Sequence, residues 1–351
     1  MELLRYSSAG IFLLSVVICP TAFAQRTDQL IPLKGVPISG IVITMSPTEI
    51  TINVRGTDQK ISVRDIKRLT FADDPRELAA GRDHILNGDL PAGCDQLKKV
   101  DPAAITRDFV KQDLDFYLAY CQAKLALSGG GDKEAATQSL MNYARSASKN
   151  YHFISAAELL GDLAVELEKY DEAARFYGYL AKTAREASWP DFALQVAAME
   201  ARVLEAQGKF PEALQKYDAI LAANINSPEA SRQKSFASVG KAGVYAETNQ
   251  PEEGIKIVDD IVQANDSQDT ELFGRAYNAQ GRCLIKMNKP KEALLAFLRV
   301  DLLFNQHPDI HAEALHYLSK LWTGTNKSDR AAAAHNVLAQ RYAGSRWAKK
   351  N

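Results

Sequence analysis

The chain has 351 residues, 46% of them hydrophobic, and 42 basic side chains nearly balance 43 acidic ones to a formal net charge of −1. Such a balance provides no global field to draw in nucleic acid or an anionic membrane. The length allows one or two domains.

Residues 1–24 read as a secretory signal. Arg5 supplies a thin positive region, Ile11 to Ile18 a short apolar core, and Ala22-Phe23-Ala24 an A-x-A cleavage site, with cleavage after Ala24. The apolar run is shorter than the about 20 residues that a spanning helix needs. Cys19 invites a lipoprotein reading, but Ile18 stands where a lipobox wants a small residue. An uncleaved amphipathic start is the remaining alternative. The chain is therefore expected in the periplasm or outside the cell, with no integral membrane span.

Residues 28–73 have a different texture. Ile41 to Met45, Glu49 to Val54, Lys60 to Val63 and Leu69-Thr70-Phe71 are rich in β-branched residues. Ser46-Pro47-Thr48 and Arg55-Gly56-Thr57-Asp58 punctuate them, and Asp65 to Arg68 reads as one helical turn. This resembles a small SH3-like or Sm-like β module in pattern, without a diagnostic motif. Lys34, Arg55, Lys60, Arg64, Lys67 and Arg68 are scattered and lack clustered aromatics, so no nucleic-acid partner is expected. The module is read as a cap on the helical remainder of the chain or as a docking unit.

From Pro75 to Trp347 the pattern is helical. Leu272 to Val300 is the clearest unit: two helices joined by Asn288-Lys289-Pro290, where Asn suits a left-handed helix end and Pro the next helix start. Gly281 interrupts the first helix at about 1 kcal/mol relative to Ala, which is tolerated where another backbone must come close. Ala293 is the matching small residue and Phe297 the bulky one beside it. Equivalents of Ala293 recur at Ala92, Ala135, Ala173, Ala213, Gly254 and Ala331, in steps of 38 to 43 residues. Twelve residues before them stand Ala80, Ala123, Gly161, Ala201, Ala242 and Ser319. Four after come Gln96, Ser139, Tyr177, Tyr217, Val258 and His335, so the bulky residue is kept in the middle and lost at both ends.

Small, small, aromatic at this spacing resembles the tetratricopeptide repeat (TPR). HEAT-type repeats share the step length but not the placement of the small residues. Tyr342-Ala343-Gly344-Ser345 is similar to the ending common in bacterial TPR proteins, with Ala for Pro. The fold class expected is mainly α: a TPR-like α-solenoid of about seven hairpins over 75–347, preceded by the small β module. The resemblance implies a concave groove lined by the first (A) helix of each hairpin, and a non-enzymatic scaffold that binds proteins or peptides there. Two A-helix stripes stand out. Glu158, Asp162 and Glu166 form an acidic one. Arg275, Asn278, Arg282 and Lys286, continued by His316 and Lys320, form a basic one, of the residue types that clamp a ligand carboxylate in this family. A structural subunit or spacer of an envelope complex is the second reading.

Catalytic signatures are missing. No G-x-S-x-G, H-E-x-x-H, C-x-x-C or phosphate-loop pattern occurs, and Gly129-Gly130-Gly131 reads as a helix stop before an Asp132 N-cap. Ser146-Ala147-Ser148-Lys149 fits S-x-x-K, a pattern of common residues that arises by chance. His307, Asp309, His311 and His316 are read as surface rather than as a metal site. No cofactor is expected. Beyond residue 24 three cysteines remain, an odd number that excludes a fully paired framework. Cys94 and Cys121 fall on adjacent helices and fit either a disulfide or two buried thiols.

Overall fold

The computed structural model describes residues 27–350; the expected signal segment and Cys19 lie outside them. The described residues open with five strands, β1 (Asp28–Pro32), β2 (Ile38–Met45), β3 (Glu49–Val54), β4 (Thr57–Ser62) and β5 (Ile66–Thr70), in a small antiparallel sheet of order β4-β3-β2-β1-β5. The β3–β4 turn is closed by Arg55 and Gly56 alone, both with positive φ (53° and 88°), the mirror-image turn that matches strand twist. The expected helical turn at Asp65–Arg68 is instead a 3₁₀ turn over Val63–Asp65 followed by β5, because Leu69, 1% exposed, pairs with the fully buried Leu30. β1 carries no sequence pattern of its own. It is held by Asp28, whose buried carboxylate accepts from Val42 N (2.8 Å) and Ala72 N (3.0 Å) and from the Arg107 guanidinium (2.7 Å).

Fourteen helices come next as seven hairpins: α1 (Arg76–Leu86) with α2 (Leu90–Leu97), α3 (Asp108–Leu127) with α4 (Lys133–Ser146), α5 (Phe153–Glu166) with α6 (Tyr170–Glu186), α7 (Pro190–Ala206) with α8 (Phe210–Ala222), α9 (Pro228–Glu247) with α10 (Pro251–Ala264), α11 (Thr270–Lys286) with α12 (Pro290–Leu303), and α13 (Pro308–Gly324) with α14 (Ser328–Arg341). A short α15 (Arg346–Lys349) ends the described chain. α9 starts five residues before the expected Gln233 because Ser227 caps it through Ala230 N and Pro228 opens it.

What repeats most strictly is the turn. Each hairpin has one residue with positive φ at its tip: Gly88, Gly129, Glu168, Gly208, Asn249, Asn288 and Asn326. The next residue donates its N–H back five positions, as Lys289 does to Leu284 (2.9 Å) and Lys327 to Trp322 (2.9 Å), which closes the helix end. This register corrects the first two repeats. In the first, the close pair is Gly81 and Gly93 with Leu97 as the bulky partner, one position later than Ala80, Ala92 and Gln96. In the second, the glycine run lengthens the loop and Ala136 with Leu140 replace Ala135 and Ser139 in the core. The bulky residue is therefore kept at the start of the array; only the last hairpin, with His335 exposed, loses it there.

Gly161, Ala201 and Gly281 are buried where the hairpins nest. Gly161 faces the Tyr177 ring, and a Cβ on Gly281 would sit 2.5 Å from the Phe297 ring. The sheet and the first hairpins share one core that runs from Leu30 and Phe71 through Leu78 and Leu97 to Leu114. Cys94 on α2 and Cys121 on α3 are joined by a disulfide within it, which resolves the alternative left by the sequence; Cys283 is a buried free thiol. The bridge closes a 27-residue separation, so Cys94→Ser with Cys121→Ser is expected to destabilise the first two hairpins by about 2–4 kcal/mol. Amide exchange in α1 to α3 measures this against α11 to α13, which should be unaffected.

The array closes on itself. Lys133, 7% exposed, donates to the carbonyl of Gly344 (2.9 Å) across 211 residues, and Gly129 lies against Arg341 and Tyr342. The glycine run is thus more than a helix stop: it is the seat for the far end of the chain.

Candidate binding face

Successive A helices touch one another (α7 with α9, α9 with α11, α11 with α13), so the array curves with its A helices inside. The inner position is set by register. One residue after each nested small residue comes Asp162, Arg202, Gly243, Arg282 and Lys320, and these succeed one another along the concave side.

The basic stripe sits on that side, with carboxylates from other hairpins beside it. Arg282 Nη2 lies 3.3 Å from Glu205 on α7 and its Nε 3.6 Å from Glu313 on α13. To reach Glu205 the guanidinium crosses α9 at Gly243, where any Cβ would collide with it. Arg275 lies 3.1 Å from Glu271 and 3.4 Å from Asp309, and Arg202 on α7 is 3.8 Å from the same Asp309. Lys286 pairs with Glu247 at 3.3 Å. Asn278 is 1% exposed and donates to the Ile310 carbonyl (2.9 Å) and to Glu313 (3.1 Å); its Oδ1 has no hydrogen-bond partner among the described residues. His316 is buried, with Nδ1 donating to the Trp347 carbonyl (3.1 Å), and burial with the nearby Lys320 lowers its pKa to about 4. Lys320 lines a surface cleft between α13 and α14. A free row of cations is thus not what the fold builds. Burial alone would raise the Asp309 carboxyl, but Arg275 and Arg202 outweigh it and hold it below its usual range.

The acidic stripe divides. Glu166 leaves it to accept from Lys133 Nζ (2.7 Å) at the closure. Glu158 and Asp162 stay on the concave side with neutral donors only, Gln195 (3.0 Å) and the Tyr177 hydroxyl (2.8 Å). Burial, then the neighbouring Asp162, push the Glu158 carboxyl up to about 7, and burial raises Asp162 as well. The β module contributes here: Arg64 lies over the Phe192 ring of α7, 4.4 Å from its centroid, and its charge partly offsets that on Glu158. A carboxyl raised in the folded state holds its proton more tightly there, so stability falls as pH climbs from about 4.5 to about 7. Glu158→Gln keeps the acceptor for Gln195 and removes the charge. The variant is expected to match the wild type at pH 4.5 and to exceed it at pH 8 by on the order of 2 kcal/mol, measured by amide exchange in α5 to α7 at both values.

Arg202, Glu205, Glu271 and Glu313 carry this face and are not singled out by the sequence, and Asp309, which the sequence places at the surface, joins them as an ion-pair partner of Arg275 and Arg202. The signal for Arg202 was present, since it holds the same place after Ala201 that Arg282 holds after Gly281. Glu271 had a signal too, standing four residues before Arg275 on α11; Glu205, Asp309 and Glu313 had none, because they come from other hairpins.

A second charged cluster lies where the sheet meets the array. Asp113, fully buried, accepts from Tyr151 OH (2.9 Å) and His152 Nε2 (2.8 Å) and lies 3.2 Å from Arg82 Nη2, which also binds Asp74 at 2.8 Å. Arg82 Nη1 donates to the Leu69 carbonyl of β5. A carboxylate–imidazole pair of this kind can serve proton transfer, but His152 is 7% exposed and stacks face to face on Phe116, so the cluster fastens elements together. His307, His311 and His316 make separate contacts, to Thr270, to Asp301 with Tyr342, and to Trp347. Among the described residues there is no group of three His, Cys, Asp or Glu able to hold a metal ion, and no helix long and apolar enough to cross a membrane.

No protein-family model matches the sequence and no curated protein matches it. Solved structures do match. A tetratricopeptide repeat protein from Parabacteroides merdae superposes with a TM-score of 0.51 at 17% identity, over 76% of this chain and 91% of that one. NprR in complex with its cognate peptide NprX gives 0.58 at 15% identity, over 75% and 76% of the two chains. A Rap protein complexed with competence and sporulation factor gives 0.54 at 11% identity, over 78% and 75%. At these identities the likeness shows the fold, and the fold is a TPR-like α-solenoid behind a small antiparallel β-sheet.

Proposed function

We propose that this chain is a non-enzymatic scaffold that binds a protein or peptide segment along the concave side of its A helices. The observation that supports this most is the state of the charges there. Arg202 and Asp309 keep 43% and 33% of their side-chain surface, Arg275 22%, although each is part of an ion network. Such a face is solvated and preformed, so a polar chain segment can exchange with its internal pairs at little ordering cost. NprR, of the same fold, was solved in complex with its cognate peptide NprX, and a Rap protein complexed with competence and sporulation factor. The address we propose is the periplasm or beyond, on the strength of residues 1–24; the Cys94–Cys121 bridge suits an oxidising compartment. A subunit or spacer role in an envelope complex is the second reading, favoured by the closure of the array, which makes it a stiff unit.

The test is capture of partners from a periplasmic extract by the mature chain, followed by titration of the captured partner against Arg202→Gln with Lys286→Gln. These two are among the more exposed cations of the face. Binding is expected to weaken about tenfold or more, which corresponds to about 1.4 kcal/mol. Unchanged affinity, with the fold intact by circular dichroism, would remove the concave face as the site.

A further inference from the structure

A second binding site is built where β2 meets the second hairpin, away from the concave face. β1 runs beside β2 only from Ile38 to Gly40, so among the described residues no strand pairs with residues 41–45 of β2 on that side. Asp28 and Arg107 stand in for one at Val42, on its N–H (2.8 Å) and its carbonyl (3.3 Å). Beyond Val42 the ladder to β3 slips by one residue, and Ile43, at the slip, is 47% exposed although its strand lies inside the sheet. Next to it opens a surface cleft of about 380 Å³. Met45, Phe109 and the buried Ala147 give it apolar walls, and Gln112, held by Asn150 at 3.0 Å, forms a polar one. Lys149 is the only charged residue of the lining and has no ion-pair partner among the described residues.

We infer that this cleft takes an extended segment of a partner polypeptide that sets one large aliphatic side chain between Ile43, Met45 and Phe109 and an adjacent carboxylate on Lys149. Three features select that occupant. The uncovered stretch of β2 favours an extended backbone, since strand-like segments add where a sheet has an open side. The volume falls within the range of small-ligand sites and is largely apolar, which suits one side chain rather than a whole helix. The single unpaired ammonium group asks for a negative charge. The Ser146-Ala147-Ser148-Lys149 stretch thereby acquires a role as one wall of the site. Its Ser146 Oγ donates to the Tyr143 carbonyl (3.1 Å), which is helix-end geometry and not that of an activated nucleophile.

The test uses a displayed library of random heptapeptides with free carboxyl ends, selected on the folded chain and counter-selected on Ile43→Asp with Lys149→Glu. Both positions are exposed, so the variant should keep its melting temperature. The expected result is enrichment of sequences with an aliphatic residue next to an acidic residue or to the carboxyl end, with affinity at least tenfold lower on the double variant. Amidating the end of a selected peptide separates a terminal from an internal carboxylate; either one supports the site. The proposal is overturned if nothing is enriched, if the enriched peptides carry no aliphatic–carboxylate pair, or if they bind the double variant equally well.

Discussion

Phe297→Ala is expected to destabilise the sixth and seventh hairpins by about 3–5 kcal/mol, the usual cost of truncating a fully buried aromatic ring. Phe297 is 0% exposed, fills the space over Gly281 and stacks on Tyr317 of the next hairpin with ring centroids 4.9 Å apart. The partner substitution distinguishes this geometry from ordinary core packing. Gly281→Ala should gain about 1 kcal/mol in helix propensity. It loses more by overpacking, roughly 1–3 kcal/mol, because the new Cβ meets ring carbons at 2.5 Å. In a Phe297→Leu background the collision is relieved, and the same Gly281→Ala change should become neutral or stabilising. A stacked array does not unfold as one unit, so the readout is amide exchange in α11 to α13. Additive effects of the two substitutions would contradict direct nesting.

Arg82→Met is expected to cost a similar 3–5 kcal/mol, by a different route. The guanidinium is 1% exposed and faces two carboxylates, Asp74 at 2.8 Å and Asp113 at 3.2 Å; its removal leaves both buried without a cation. The loss should depend on pH. In the wild type, burial, set against the attraction of Arg82, raises the Asp74 carboxyl to about 6, while Arg82 and His152 overcome burial to hold Asp113 below its usual range. Without the arginine the cheapest relief is to protonate Asp74, which is easier at pH 5 than at pH 8. The drop in melting temperature is therefore expected to be smaller at pH 5. Because Arg82 also holds the Leu69 carbonyl, the variant should be cut by protease between residues 71 and 75 sooner than the wild type. Equal losses at the two pH values would mean that the cluster does not carry buried charge.

Much of the array was legible because its causes are local. Asn288 and Gly208 announce left-handed helix ends, Pro290 and Pro251 announce helix starts, and Gly281 with Phe297 announces close packing. The first two repeats were misread by one position, since alanines at 80, 92 and 135 imitate the small residue whose place belongs to Gly81, Gly93 and Ala136. Gly88 held the correct register and outranks any alanine, because few residues accept positive φ whereas Ala fits any helix position. β1 was missed because its hold on the sheet comes from Asp28 and from Arg107, 79 residues away. The same reason hid the character of the concave face. Arg282 reads as an open cation until Glu205, 77 residues upstream, is brought beside it by the curvature of the stack. The cysteine pair was placed on neighbouring helices correctly, but burial suits a thiol and a disulfide equally, so sequence could not choose.

Seven nested hairpins wind far enough to bring residues 341–344 onto the second hairpin, so that distant hairpins share one concave face. Spin labels at Ala135 and Ala343, both exposed, measure this directly by double electron–electron resonance. With Lys133 bonded to Gly344 at 2.9 Å, one narrow distance distribution is expected, centred below roughly 25 Å, label arms included. Hairpins stacked in a straight row at about 8–10 Å per helix layer would separate the same labels by roughly 50 Å or more; a distribution centred there would contradict the closed stack.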